Sequence, residues 1–73
     1  MSIKEEIFKE LKKLTNIKFT EESLIKDLGI DSLDLVEMVT DLEEKLDVII
    51  SDEELTSFKK ISDVIDSITK NKK

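Results

Sequence analysis

Three stretches of this chain repeat apolar residues at the spacing of an α-helix, and that pattern limits the fold more than any other feature. Ile3, Ile7, Phe8, Leu11 and Leu14 form the first stripe; Leu35, Met38, Val39, Leu42 and Leu46 the second; Ile61, Val64, Ile65 and Ile68 the third. Ser2 and Glu5 make a Ser-x-x-Glu capping box, so the first helix should span about Ile3 to Leu14. The second should run from about Ser32 to Leu46. Ser51 with Glu54 makes another capping box, opening a short helix through about Ser57; the last helix should fray into Lys70 to Lys73. Val48-Ile49-Ile50 is the one strand-like run, too short and without a partner. The expected fold is all-α, one domain over residues 1–73: a bundle of three main helices and a short one.

Between the first two helices, residues 15–30 keep no period, yet Ile17, Phe19, Leu24, Ile25 and Leu28 are too apolar for a free linker. The segment should fold back on the core, with a helical turn after Thr20. A loop this long in a compact domain calls for a reason, and the residues that follow it supply one. Leu28-Gly29-Ile30-Asp31-Ser32-Leu33-Asp34 contains the only glycine, where the chain must turn, and then Asp31, a good N-cap. With Asp31 capping, Ser32 is the first helical residue; its hydroxyl is free to face solvent, beside backbone N–H groups that favour an attached phosphate. At about 100° per residue, Leu33 falls roughly 170° and Val36 roughly 110° from the middle of the core stripe. Both should be exposed, among Glu37, Thr40, Glu43 and Glu44.

Several function classes are excluded by what the chain lacks. Among its 73 residues are no cysteine and no histidine, which removes disulfides, thiolate metal sites, a cysteine nucleophile and a Ser-His pair. Thiol chemistry would have to arrive on a cofactor. No apolar run approaches the roughly 20 residues of a membrane span, and no secretory signal is evident, so a cytoplasmic location is expected. Net charge is −6, and the acid is concentrated: residues 31–54 hold ten acidic residues against Lys45 alone. That field repels nucleic acid and steers basic protein surfaces toward it. Clustered carboxylates raise the question of divalent cations, but no EF-hand spacing is present, and no metal site is expected.

Asp27-Leu28-Gly29-Ile30-Asp31-Ser32-Leu33-Asp34, then Val36-Glu37, Leu42-Glu43-Glu44 and Ile50-Ser51-Asp52-Glu53-Glu54, closely resembles the acyl carrier proteins from Leu24 to Ile68. The resemblance implies a non-enzymatic, monomeric carrier whose Ser32 bears 4′-phosphopantetheine, attached from coenzyme A by a phosphopantetheinyl transferase with Mg²⁺. Acyl groups would ride on the arm as thioesters, most often in fatty acid biosynthesis, with polyketide, peptide or D-alanyl transfer as alternatives. Asp31, Leu33, Asp34, Val36, Glu37, Thr40, Glu43 and Glu44 match the face that acyl-processing enzymes meet with basic surfaces. Leu35, Leu42, Ile50, Leu55, Phe58 and Val64 match the acyl pocket. Leu35, Leu55 and Val64 are bulkier than the residues often found there, which implies poorer shelter for long chains. Ser51, Ile49 and Lys60 depart from the fatty-acid pattern, standing where a proline, an acid and a hydroxyl residue are common. A rival from another class is an unmodified helical adaptor using the same acidic face.

Overall fold

The computed structural model describes residues 2–72 as a helical bundle, and its helices start where the caps lie. Helix α1 (Ile3–Leu14) opens on Ser2, whose Oγ accepts the Glu5 N–H at 3.0 Å; Glu5 and Glu6 in its first turn and Lys12 and Lys13 in its last complement the helix dipole. Helix α2 (Ser32–Leu46) opens on Asp31 and closes on Asp47, which adopts the left-handed conformation at φ 54°. A short helix, α3 (Asp52–Ser57), is capped by Ser51 Oγ on the Glu54 N–H at 3.2 Å. Helix α4 (Ile61–Asn71) completes the chain order, with a 3₁₀ turn at Ile25–Leu28 in the long connection.

The three predicted stripes meet in one core. Helix α1 packs on both α2 and α4, and Ile7, Leu11, Val39, Leu42, Ile61, Val64 and Ile68 are almost completely removed from water. Each such side chain contributes about 1.5–3 kcal/mol of burial, which a domain this small needs from nearly every one. Ile25, Leu28, Ile30, Val48 and Ile50 join this core from the connections, so residues 15–30 do fold back as expected. Phe19 packs edge-on against Phe8, with centroids 5.1 Å apart. Thr15 Oγ1 donates to the Leu28 carbonyl at 3.0 Å and ties the two ends of the connection together.

The start of α4 shows what the apolar pattern could not. The first turn of a helix leaves N–H groups unpaired, and Lys60 has no acceptor to cap them. The long connection supplies the acceptors: Ile61 N–H donates to Ser23 O at 3.1 Å and Ser62 N–H to Glu21 O at 2.9 Å. In return Ile25 N–H donates to Lys59 O at 2.8 Å, and Leu24 and Lys60 form an isolated antiparallel bridge. Asp63 reaches back to accept the N–H groups of Lys59 and Lys60, each at 3.0 Å. These bonds hold its carboxyl below the usual range, Lys60 N–H contributing most and Lys59 N–H next.

Four expectations need correction. The residues after Thr20 form a hydrogen-bonded turn closed by Ser23, while the helical turn falls later, at Ile25–Leu28, where Ile25 and Leu28 can both reach the core. Ile17 is 52% exposed and contributes little to the core. Val48-Ile49-Ile50 forms no strand, as its length and lack of a partner imply, and Ile49 is 82% exposed; the isolated extended pairing lies instead at Leu24 and Lys60. Glu54 does not complete a capping box, because Ser67 Oγ and Asn71 Nδ2 both donate to its Oε2. Those contacts, with Asn71 Nδ2 also donating to Ser67 O at 2.7 Å, keep α4 helical through Asn71 instead of fraying at Lys70; Lys73 lies outside the described residues.

Candidate functional site

Gly29 makes the turn that delivers Ser32. Its φ is +72°, the left-handed region that a side chain disfavours, and a Cβ built on it meets nothing within 4 Å. Backbone conformation, not crowding, therefore requires glycine there. Two residues on, Asp31 Oδ1 accepts the Asp34 N–H at 2.9 Å and Asp31 O accepts the Leu35 N–H at 3.0 Å, fixing the helix start. Capping is thus done by the aspartate, and the Ser32 side chain stands exposed at the first helical position. A primary hydroxyl so placed can be reached by a docking enzyme and can carry a large group without disturbing the core.

The outer face of α2 surrounds this hydroxyl. Leu33 is 75% and Val36 42% exposed, as their angular positions predict. Asp31, Glu37, Thr40 and Glu44 are also exposed, while Asp34 and Glu43 are half-buried. The Thr40 hydroxyl donates to Val36 O at 2.9 Å. Glu43 differs from its neighbours: its Oε2 accepts the Ile50 N–H at 2.9 Å, so it braces the connection after α2. Lys45, the one cation of residues 31–54, turns away from this face to Glu10 on α1 at 2.7 Å. That contact, with help from Lys13, lowers the Glu10 pKa against the opposing effect of burial. Among the described residues no three acidic groups are placed to hold a metal ion.

Two open clefts flank Ser32 and share Leu35 and Phe58 as a dividing wall. The larger, about 430 Å³, is lined by Leu24, Ile25 and Ile30 with Lys26, Asp31 and Lys59 at its edge. The smaller, about 300 Å³, lies against α3 and adds Val36, Leu55 and Thr56. Of the six acyl-pocket candidates, Leu35, Leu55 and Phe58 therefore line clefts at Ser32. Leu42, Ile50 and Val64 line neither; they are buried in the core. Sequence reading missed Lys26 and Lys59, which are far apart in the chain and come together through the Ile25–Lys59 backbone bond.

Known proteins resemble this chain over most of its length. The family described as phosphopantetheine attachment site matches residues 5–68. An acyl carrier protein homolog of Mycoplasmopsis pulmonis is 60% identical over 65 residues, 89% of each chain. The acyl carrier protein of Syntrophobacter fumaroxidans is 48% identical over 52 residues, 71% of this chain and 64% of its own. Among solved structures, the acyl carrier protein of Thermotoga maritima superposes with a TM-score of 0.71 at 30% identity, covering 90% of this chain and 89% of the other. With its helical bundle, its exposed helix-start serine and these relatives, the chain belongs to the acyl carrier protein family, whose cofactor is 4′-phosphopantetheine.

Proposed function

We propose that Ser32 carries the 4′-phosphopantetheine arm and that the protein conveys acyl thioesters between the enzymes of fatty acid biosynthesis. The observation that carries this reading is the exposed Ser32 hydroxyl at the first residue of α2, released from capping by Asp31. In the attachment step Ser32 Oγ takes the pantetheine phosphate from coenzyme A, its proton passes to a base of the transferase, and adenosine 3′,5′-bisphosphate leaves. The residues fit the group: Ser32 is exposed and lines both clefts, and Lys26 and Lys59 line the larger one, which suits an anionic phosphodiester. When attached, the arm supplies the thiol that the chain lacks.

The chain's own part is to present and to be recognised. It brings no histidine or cysteine of its own to catalysis, so the acyl chemistry belongs to its partners. Exposed Leu33 and Val36 offer apolar contact, while Asp31, Asp34, Glu37 and Glu44 attract a basic surface and orient it. Thr40 and Glu43 complete that docking face, Glu43 with one oxygen already committed to Ile50. A tether fixed beside the docking face raises the concentration of the acyl group at each bound enzyme. Intact mass after incubation with coenzyme A and a broad-specificity transferase tests the proposal: one phosphopantetheine should be gained, and Ser32→Ala should gain none while keeping its helical content. Labelling of another residue, or no gain at all, overturns it, the second result favouring an unmodified adaptor. Acceptance of a malonyl group from a fatty-acid malonyl transferase tests the pathway.

A further inference from the structure

The two clefts at Ser32 differ in charge, and an anionic group bonded to the Ser32 oxygen would feel that difference. We propose that the arm rests in the larger cleft, between the 3₁₀ segment and Phe58–Lys59, with Lys26 and Lys59 pairing with its phosphodiester, and not in the smaller cleft against α3. The inference rests on the reading of Ser32 as the attachment site.

Charge complementarity selects the side. At the edge of the larger cleft, Lys26 and Lys59 outweigh the Asp31 carboxylate, leaving one net positive charge for one phosphodiester. Asp31 has committed an oxygen to the Asp34 N–H. No charged side chain lines the smaller cleft. Four other lysines are held in ion pairs, to Glu21, Glu10 and Glu22, but Lys26 and Lys59 enter none among the described residues. Neither ammonium group has to leave an ion pair to meet the phosphate, although the Lys59 charge also acts on Asp63.

Preorganisation points the same way. The Ile25–Lys59 hydrogen bond clamps the two lysine-bearing segments at 2.8 Å, so little ordering of the backbone is left to be done when an anion enters between them. Behind the lysines, Leu24, Ile25 and Ile30 form an apolar wall suited to the geminal methyl groups that follow the phosphate in pantetheine. The volume of about 430 Å³ lies in the range of small-molecule sites, about 300–1,000 Å³.

The test is solution NMR on isotope-labelled protein loaded from coenzyme A, with loading at Ser32 first established by intact mass. Nuclear Overhauser contacts from the arm's geminal methyls should reach the methyls of Ile25 and Ile30. They should be lost in the double variant Lys26→Gln/Lys59→Gln, and weaken as salt is raised, while the unloaded variant keeps the dispersed spectrum of the parent. Contacts to Leu55 and Val36 instead, or to no side chain, overturn the inference while leaving the Ser32 reading intact. Contacts to Ile25 and Ile30 that ignore both lysine removal and salt overturn the charge pairing. Should the double variant unfold, the contacts of the parent and their salt dependence decide the matter. A protein that takes no arm on Ser32 overturns the underlying reading and this inference with it.

Discussion

On its inner side α2 buries Met38, Val39 and Leu42 in the common core, packed on α1, whereas on its outer side Leu33 and Val36 stand in water. Carboxylates divide in the same way. Glu10, Glu54 and Asp63 are each wired to specific donors: Lys45 and Lys13, Ser67 and Asn71, and two backbone N–H groups. Glu37, Asp41 and Glu44 on α2 have no ion-pair partner among the described residues. One helix thus serves the fold with one side and, Glu43 apart, leaves the other unspent. Apolar or acidic residues that gain nothing from folding are the ones left free to gain from binding.

The sharpest way to break this comparison is Leu42→Ala. Leu42 has no exposure, and a large-to-small change at such a site costs about 2–5 kcal/mol through lost transfer energy and the cavity left behind. Urea denaturation should read that cost directly. A loss below about 0.5 kcal/mol, the range of surface sites, would mean that the inner side is no more structural than the outer.

Acid should expose the wired carboxylates next. Glu10, Glu54 and Asp63 have folded-state pKa values below their ordinary 4.5, 4.5 and 3.8, chiefly through Lys45, Ser67 and the Lys60 N–H respectively. Depressed values mean that their contribution is fully present above about pH 4.5 and is lost as pH falls through the lowered values. Melting temperature should therefore decline on acidification below that point. Glu54→Gln and Asp63→Asn should each flatten the decline. A decline as steep in both variants as in the parent would mean that these wired contacts do not set the acid response.

Sequence made the helices and the Ser32 end legible for a common reason: both are local. Apolar spacing depends on residues three and four apart, and the Asp31 cap on a neighbour three residues on. The placement of Ser32, Leu33 and Val36 followed from those, while the role given to Ser32 came from the family resemblance. What escaped is non-local. Asp63 and the carbonyls of Glu21 and Ser23 cap α4 in place of the hydroxyl that Lys60 lacks, and Lys59 meets the 3₁₀ segment across more than thirty residues. Glu10 meets Lys45, thirty-five residues away, only once α2 packs on α1. The dividing wall of Leu35 and Phe58 is likewise visible only once α2 and α3 have met.

A smaller effect on stability, but a larger one on partners, is expected from Val36→Ala and Glu37→Gln. Both side chains are exposed, so each change should move stability by no more than about 0.5 kcal/mol. Arm transfer to Ser32 should nonetheless slow, and the slowing from Glu37→Gln should shrink as salt screens the docking charge. Transfer rates equal to the parent's would detach the outer side of α2 from recognition.

The smallest effect should come from salt alone, and its sign depends on which charges are screened first. The four ion pairs are 2.7–3.6 Å long, well inside the screening length of about 10 Å at 0.1 M salt. Repulsion spread over the ten acids of residues 31–54 acts over longer distances, and Lys45 has been drawn off to α1. Moderate salt therefore removes repulsion before it weakens the pairs, and the melting temperature should rise. A gain of about 0.5 kcal/mol corresponds to about 2–4 °C in a domain of this size. Magnesium should act as a diffuse counterion, somewhat better than sodium at equal ionic strength, because no three acids among the described residues converge on a cation site. A fall on adding salt would place the balance of charge on the wired side of the comparison. A magnesium effect far beyond that of sodium would mean that the outer acids rearrange to chelate, and the free side of α2 would then have a structural role of its own.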